Sequence, residues 1–262
     1  MTRLLSGVAL GAAALAAILL LPLPGLRALA ILVAALAAHE YLGVVHRDAH
    51  RDRRAPGAIP MLLLVVLACW WFSDPGRSGV LPLVLLGVGW AAIEVVFRGL
   101  AVDQAAARFL ALWYIGMPLG MLAAVPAIGG RAAALLLVAT VVVSDSAQFY
   151  CGRLFGRRPL APAISPKKTV EGALGGLVVA TVFITLAGSW VFPGGRRSSL
   201  ALLGVAMVAL GICGDLFESR IKRTAGVKDS SGLIPGHGGV LDRIDALLFA
   251  TPAYYLYLSM NA

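Results

Sequence analysis

Apolar residues run through this chain in blocks of about 15 to 22 positions, separated by short stretches of proline, glycine and charge. A helix rises about 1.5 Å per residue and a bilayer's hydrocarbon core is about 30 Å thick, so about 20 apolar residues make one crossing. The pattern predicts hydrophobic helices over 6–23, 28–45, 58–72, 80–97, 109–128, 132–150, 170–192, 199–213 and 242–260. That is nine crossings, with the third and eighth the shortest. Turn-forming combinations punctuate the joints: Pro22-Leu23-Pro24-Gly25, Asp74-Pro75-Gly76, Gly129-Gly130 and Pro193-Gly194-Gly195.

Composition agrees. Of 262 residues, 60% are hydrophobic and 13% charged, against about 45–50% and about 25% in soluble domains. Mean hydropathy is +0.88. The expected fold is all-α, a polytopic integral membrane helical bundle. It divides into N-terminal transmembrane helices over 1–140, acting as scaffold and lipid contact, and C-terminal helices over 141–262 that carry the chemistry. Pro22 and Pro24 close the first apolar run, and no small-residue cleavage site leads into a polar segment, so this run reads as a first membrane helix. Cys69, Cys151 and Cys213 show no CxxC spacing, which suggests packing residues rather than disulfides or zinc ligands.

The net charge is +9, which in a soluble protein would raise nucleic-acid binding. Here its placement matters first, because Lys and Arg in short loops stay on the cytoplasmic side. With the N-terminus cytoplasmic, seventeen basic residues fall inside and five (Arg27, Arg77, Arg131, Arg196 and Arg197) outside. The basic balance is therefore largely topological, and no nucleic-acid partner is expected. Part of it would also attract anionic membrane lipids.

Polar and charged residues concentrate in 144–172 and 214–245, both on the predicted inner face. If the eighth helix continues past Asp215, then Asp215, Ser219 and Lys222 share one helical face with Glu218 alongside. Asp242 and Asp245 share a face at the start of the last helix, across a loop containing Pro235-Gly236-His237-Gly238-Gly239. Hard divalent cations such as Mg2+ take carboxylate oxygens and keep positions for water or phosphate, and nearby Lys and Arg would neutralise the remaining phosphate charge. The loop glycines suit close approach of backbone N–H groups to an anion ahead of a helix N-terminus. His237 fits a general base, a phosphate donor or a loop hydrogen-bonding residue.

A second polar stretch runs Ser144-Asp145-Ser146-Ala147-Gln148, then Gly152-Arg153, then Ser165-Pro166-Lys167-Lys168-Thr169-Val170-Glu171-Gly172. Asp145 and Gln148 would point together into the bundle. Two lysines and two hydroxyls would stand at the mouth of the seventh helix, where the helix dipole favours anions. Gly172, Gly175 and Gly176 permit close helix packing. His39, Glu40, Tyr41 and Glu94 stand as isolated polar residues in apolar helices and read as structural pairs.

The run Ser219-Arg220-Ile221-Lys222-Arg223, Lys228-Asp229, Pro235-Gly236-His237-Gly238-Gly239 and Asp242-Arg243-x-Asp245 closely resembles the motif of the phosphatidate cytidylyltransferase (CDP-diacylglycerol synthase) family. Asp145, Gly152-Arg153 and Ser165 to Gly172 are similar to the same family, and the resemblance covers roughly residues 140–252. It implies Mg2+-dependent transfer of CMP from CTP to phosphatidic acid, with a second cation as an option. It also implies Asp215 and Asp242 as metal ligands with Asp245 supporting, Ser219 and Lys222 placing phosphate or metal, and His237 at the catalytic loop. Ser165, Lys167, Lys168, Arg223, Lys228, Asp229, Arg243 and Asp145 would bind substrate. A CTP-dependent lipid or polyprenol kinase would use many of the same residue types, and an anionic-solute transporter is the competing class, although no internal repeat supports it. A bacterial inner membrane, with the site facing the cytoplasm, fits the composition. Small residues along the helices would allow a homodimer.

Overall fold

The computed structural model describes residues 2–45, 58–77, 79–234, 236 and 238–261, with side chains given from Gly7 in the first helix and from Ile59 in the third. The chain forms α1 (Thr2–Leu20), α2 (Leu23–Val45), α3 (Ala58–Phe72), α4 (Leu81–Arg98), α5 (Val102–Ala111), a π-helical turn (Leu112–Gly116) and α6 (Met117–Phe155). After α6 come β1 (Pro159–Ala161), β2 (Ser165–Thr169), α7 (Val170–Val191), α8 (Arg197–Thr224) and α9 (Leu241–Asn261).

Among the described residues, five helical runs are long and apolar enough to cross a membrane: Leu23–Val45, Leu81–Arg98, Val102–Phe155, Val170–Val191 and Arg197–Thr224. The protein is an all-α membrane protein. The run over Val102–Phe155 has 54 residues, about 80 Å of helix at 1.5 Å per residue and far more than one bilayer. It breaks at Gly130, whose φ of 78° and ψ of 176° are non-helical. That conformation suits glycine, which has no Cβ to clash, and it falls at the Gly129-Gly130 joint that the sequence marks.

Two details depart from the sequence pattern. The fifth helical run begins at Val102, before the expected 109, because α5 joins α6 through the π-helical turn. The segment Ser165-Pro166-Lys167-Lys168-Thr169, at the mouth of α7 as expected, forms a strand, β2, paired antiparallel with β1. Pro166 suits a two-stranded ribbon, in which each strand has an unpaired edge. Val170 N then donates to Arg158 O at 2.9 Å, and the Thr169 hydroxyl caps α7 by accepting from Gly172 N at 3.1 Å.

The chain divides into two compact units, Met1–Ala124 with Thr224–Arg243, and Val125–Arg223 with Ile244–Ala262. The first packs α2 to α5 around a core that includes Tyr41, Met61, Leu83, Leu112 and Ile115. Tyr41 donates its hydroxyl to Ala107 O at 2.8 Å. Glu94 on α4 and Arg108 on α5, both buried, form an ion pair. Pairing answers the cost that a lone charge would incur in an apolar interior.

The second unit buries Leu137, Ile184, Leu200, Met207, Leu248 and Tyr254. The Tyr254 hydroxyl donates to Ala133 O at 2.8 Å. The face of α7 bearing Gly172, Gly175 and Gly176 lies directly on α6. A Cβ at Gly175 would stand 2.4 Å from Cys151 Sγ, and one at Gly176 2.4 Å from Gln148 Cγ. The glycines of α7 thus serve close packing, as their spacing suggests.

Candidate active site

Four elements of the second unit present charged side chains to one another. Asp145 comes from α6, Lys168 from β2, Asp215 and Lys222 from α8, and Asp245 from α9. The Lys168 ammonium pairs with Asp215 Oδ2. Asp145 interacts electrostatically with both Lys168 and Asp215. Asp245 does so with Asp215, Asp145 and Lys222. The three carboxylates are therefore within electrostatic reach of one another, with Lys168 beside Asp145 and Asp215 and Lys222 near Asp245.

Local geometry explains which lysine takes part. Side chains alternate across a strand, so of two adjacent lysines Lys168 is half-buried against Asp215 while Lys167 stands exposed. Along α8 the helical period places Ser219 one turn beyond Asp215, and the Ser219 hydroxyl lies 3.4 Å from Asp215 Oδ1. Lys222 completes the expected stripe, yet its Nζ also pairs with buried Glu218 Oε2 at 2.7 Å. Gln148 Nε2 lies 3.0 Å from Ser144 Oγ and 3.4 Å from Asp145 Oδ1. Beside Asp145 a small pocket opens, lined by Ser144 and by apolar Val141, Met207, Val208 and Ala246.

The hairpin that carries Lys168 is fixed from outside the cluster. Glu171, in the first turn of α7, accepts from Arg157 N at 2.9 Å and Arg158 N at 3.2 Å. Its carboxylate thereby ties the segment after α6 to the start of α7. Ser165 is half-buried on β2.

Among the described residues no three carboxylate, imidazole or thiolate groups gather into a self-sufficient metal cage. Mg2+ does not need one, since it is usually held by one or two carboxylates together with water and substrate phosphate. Asp215 and its neighbouring carboxylates fit that donor chemistry. The ammonium on Asp215 also shows that the carboxylate is presented to a cation.

The loop of the first unit is built differently from the sequence expectation. Glu40, 6% exposed near the end of α2, accepts four hydrogen bonds from residues 230–241. Ser231 Oγ at 2.7 Å and Val240 N at 3.0 Å reach Oε1, while Ser230 Oγ at 3.1 Å and Leu241 N at 2.9 Å reach Oε2. Asp242 Oδ2 accepts from Ser230 N and Ser230 Oγ, each at 2.9 Å, and from Gly239 N at 2.7 Å. The glycines do bring N–H groups to an anion, but the anions gathered here are the protein's own Glu40 and Asp242. A Cβ at Gly239 would stand 2.1 Å from Ser230 Oγ and 2.3 Å from Glu40 Oε2, so this position has no room for a side chain.

Arg223 is exposed in the second unit, and Lys228, Asp229 and Arg243 are exposed in the first. His237 and Pro235 lie outside the described residues. Sequence reasoning set Glu40 apart as an isolated structural residue. Nothing in its neighbourhood reports a partner 190 residues away.

The fold and these clusters define a helical membrane protein with a carboxylate–lysine site. A family model described as the cytidylyltransferase family matches residues 1–261, and the chain belongs to that family. It is 35% identical over 234 residues to a phosphatidate cytidylyltransferase of Pseudomonas aeruginosa, covering 85% of this chain and 83% of that protein. It is 34% identical over 222 residues to one of Bacillus subtilis, covering 78% and 79%. With the Haemophilus influenzae phosphatidate cytidylyltransferase it shares 48% identity over 130 residues, 47% of this chain and 45% of that protein. Against several such relatives the chain spans about half their length.

Proposed function

We propose that this protein is a nucleotidyltransferase that moves CMP from CTP to phosphatidic acid, giving CDP-diacylglycerol and pyrophosphate. The observation that carries the proposal is the convergence of Asp145, Asp215 and Asp245 with Lys168 and Lys222 in the second unit, in a chain of the cytidylyltransferase family. In this reading the chain crosses a bacterial inner membrane nine times, with the N-terminus and the site facing the cytoplasm. CTP arrives from water and the lipid arrives laterally.

The chemistry asks little of a general base, because a phosphate monoester is already nucleophilic near neutral pH. An oxygen of the lipid phosphate forms a bond to the α-phosphorus of CTP, and the bond from that phosphorus to the β-bridging oxygen breaks as pyrophosphate leaves. The difficulty is holding two polyanions in line, which is a task of positioning and charge neutralisation. Lys168 and Lys222 supply positive charge within the cluster, and exposed Lys167, Arg223, Lys228 and Arg243 hold CTP or lipid phosphate. Ser165, Asp229 and Asp145 line the substrates' approach, and Ser219 orients Asp215. Asp215, with Asp245 in support, is assigned to Mg2+, which when bound would neutralise phosphate oxygens. Asp242 keeps the same assignment on the strength of the motif, with Oδ2 also accepting from Ser230 and Gly239. His237 is assigned to the catalytic loop.

The test supplies purified protein in liposomes with phosphatidic acid, Mg2+ and CTP labelled in the α-phosphate. Label in the lipid together with released pyrophosphate is the expected result. Soluble labelled CDP alongside a phosphorylated lipid alcohol would instead establish a kinase.

A further inference from the structure

The Glu40 carboxylate lies in the first unit, near the end of α2. Its four donors are two serine hydroxyls and the peptide N–H groups of Val240 and Leu241, the latter two at the N-terminus of α9. Helix N-termini favour anions because their first N–H groups lack intrahelical partners. Glu40 fills that position from another helix. Ser230 Oγ stands 3.1 Å from Glu40 Oε2 and 2.9 Å from Asp242 Oδ2, so its single proton is within donating distance of both carboxylates. Gly239 N adds a second tie to Asp242, at a residue whose missing Cβ makes room for Glu40.

We propose that Glu40 is a positioning residue for Asp242. It fixes Ser230, Ser231 and the first turn of α9, and so the direction in which Asp242 presents its carboxylate, without itself meeting substrate. The proposal rests on the cytidylyltransferase reading, in which Asp242 serves the reaction. A side chain with this role must accept on both oxygens at once. Glutamine matches the size of glutamate but offers one acceptor oxygen and an NH2 group, which would face N–H donors.

The test compares the full-length wild type with Glu40→Gln, Ser231→Ala and the double variant, in liposomes with phosphatidic acid, Mg2+ and α-labelled CTP. Glu40→Gln should lower kcat about 10- to 100-fold, with KM for CTP within about twofold of wild type, because hydrogen bonds to a charged group are lost while nucleotide contacts stay. Ser231→Ala removes one of the four donors and leaves Glu40 in place. It should lower kcat about threefold or more at unchanged KM, and the double variant should lose no more than Glu40→Gln alone, since both act through one network. Wild-type kcat in either single variant would overturn the proposal, as would a loss expressed in KM alone. If Glu40→Gln does not accumulate in membranes, Ser231→Ala decides alone by the same criteria. Absence of transfer by the wild type would overturn the cytidylyltransferase reading itself, a result distinct from a wild type that works alongside unaffected variants.

Discussion

Lys168 on β2 holds Asp215 on α8, while its neighbour Lys167 faces solvent. The pair is partly exposed, at 22% and 32% of the two side chains, and pairs so placed contribute little to stability, about 1 kcal/mol or less. In the proposed reaction its value is electrostatic, as positive charge for a substrate phosphate. Lys168→Ala should reduce kcat/KM about 100-fold or more, with the unfolding temperature in detergent nearly unchanged. Lys167→Ala should reduce it about 10-fold or less. Equal losses in the two variants, measured by lipid-borne label, would remove the distinction.

Asp215→Asn preserves shape and removes the charge shared with Lys168 and Ser219. Turnover should fall below detection, with expression and gel-filtration behaviour like wild type. Chelation by EDTA should likewise stop transfer, and added Mg2+ should restore it. Substantial residual turnover in the variant, or indifference to EDTA, would refute the assignment of the metal to Asp215.

Glu94 and Arg108 form a buried ion pair in the first unit. Removing one partner leaves a buried charge without its counterpart, which costs about 3–5 kcal/mol. Glu94→Ala should therefore lower the unfolding temperature in detergent markedly, and Glu94→Leu combined with Arg108→Met should recover most of the loss. Thermal unfolding of the three proteins checks this. A double variant as unstable as the single one would show that the pair matters for more than its charge balance.

Gly175 packs against Cys151 with no room for a Cβ. Gly175→Val should separate α7 from α6 and destabilise the protein by about 1–3 kcal/mol, the usual cost of overpacking. The paired substitution Cys151→Gly should offset part of that. Thermal unfolding again gives the measure, and a stable Gly175→Val variant would contradict the close approach of the two helices.

The helices were legible because lipid imposes a long, simple pattern, and the joint at Gly130 was legible because only a turn needs two glycines there. Continuation of α8 through Asp215 and Ser219 followed from residues at helical spacing. The hairpin was not legible: Ser165 to Thr169 carries helix-capping residues as well as a proline, and the pairing with Pro159–Ala161 that decides the matter leaves no local periodicity. The glycine loop was read in the right chemical terms, as backbone N–H groups around an anion. The anions themselves were hidden, since Glu40 lies some 190 residues earlier on a helix that otherwise looks like plain membrane anchor.

Ser230 and Ser231 follow Glu40 by 190 and 191 residues. At a synthesis rate of about 5–20 residues per second, Glu40 leaves the ribosome about 10–40 s before its partners exist. During that interval the α2 carboxylate lacks these four donors, which favours holding it near water at the bilayer surface. A loop made about 190 residues later therefore completes a helix inserted well before it, and α2 reaches its final hydrogen bonding only once that loop has been synthesised.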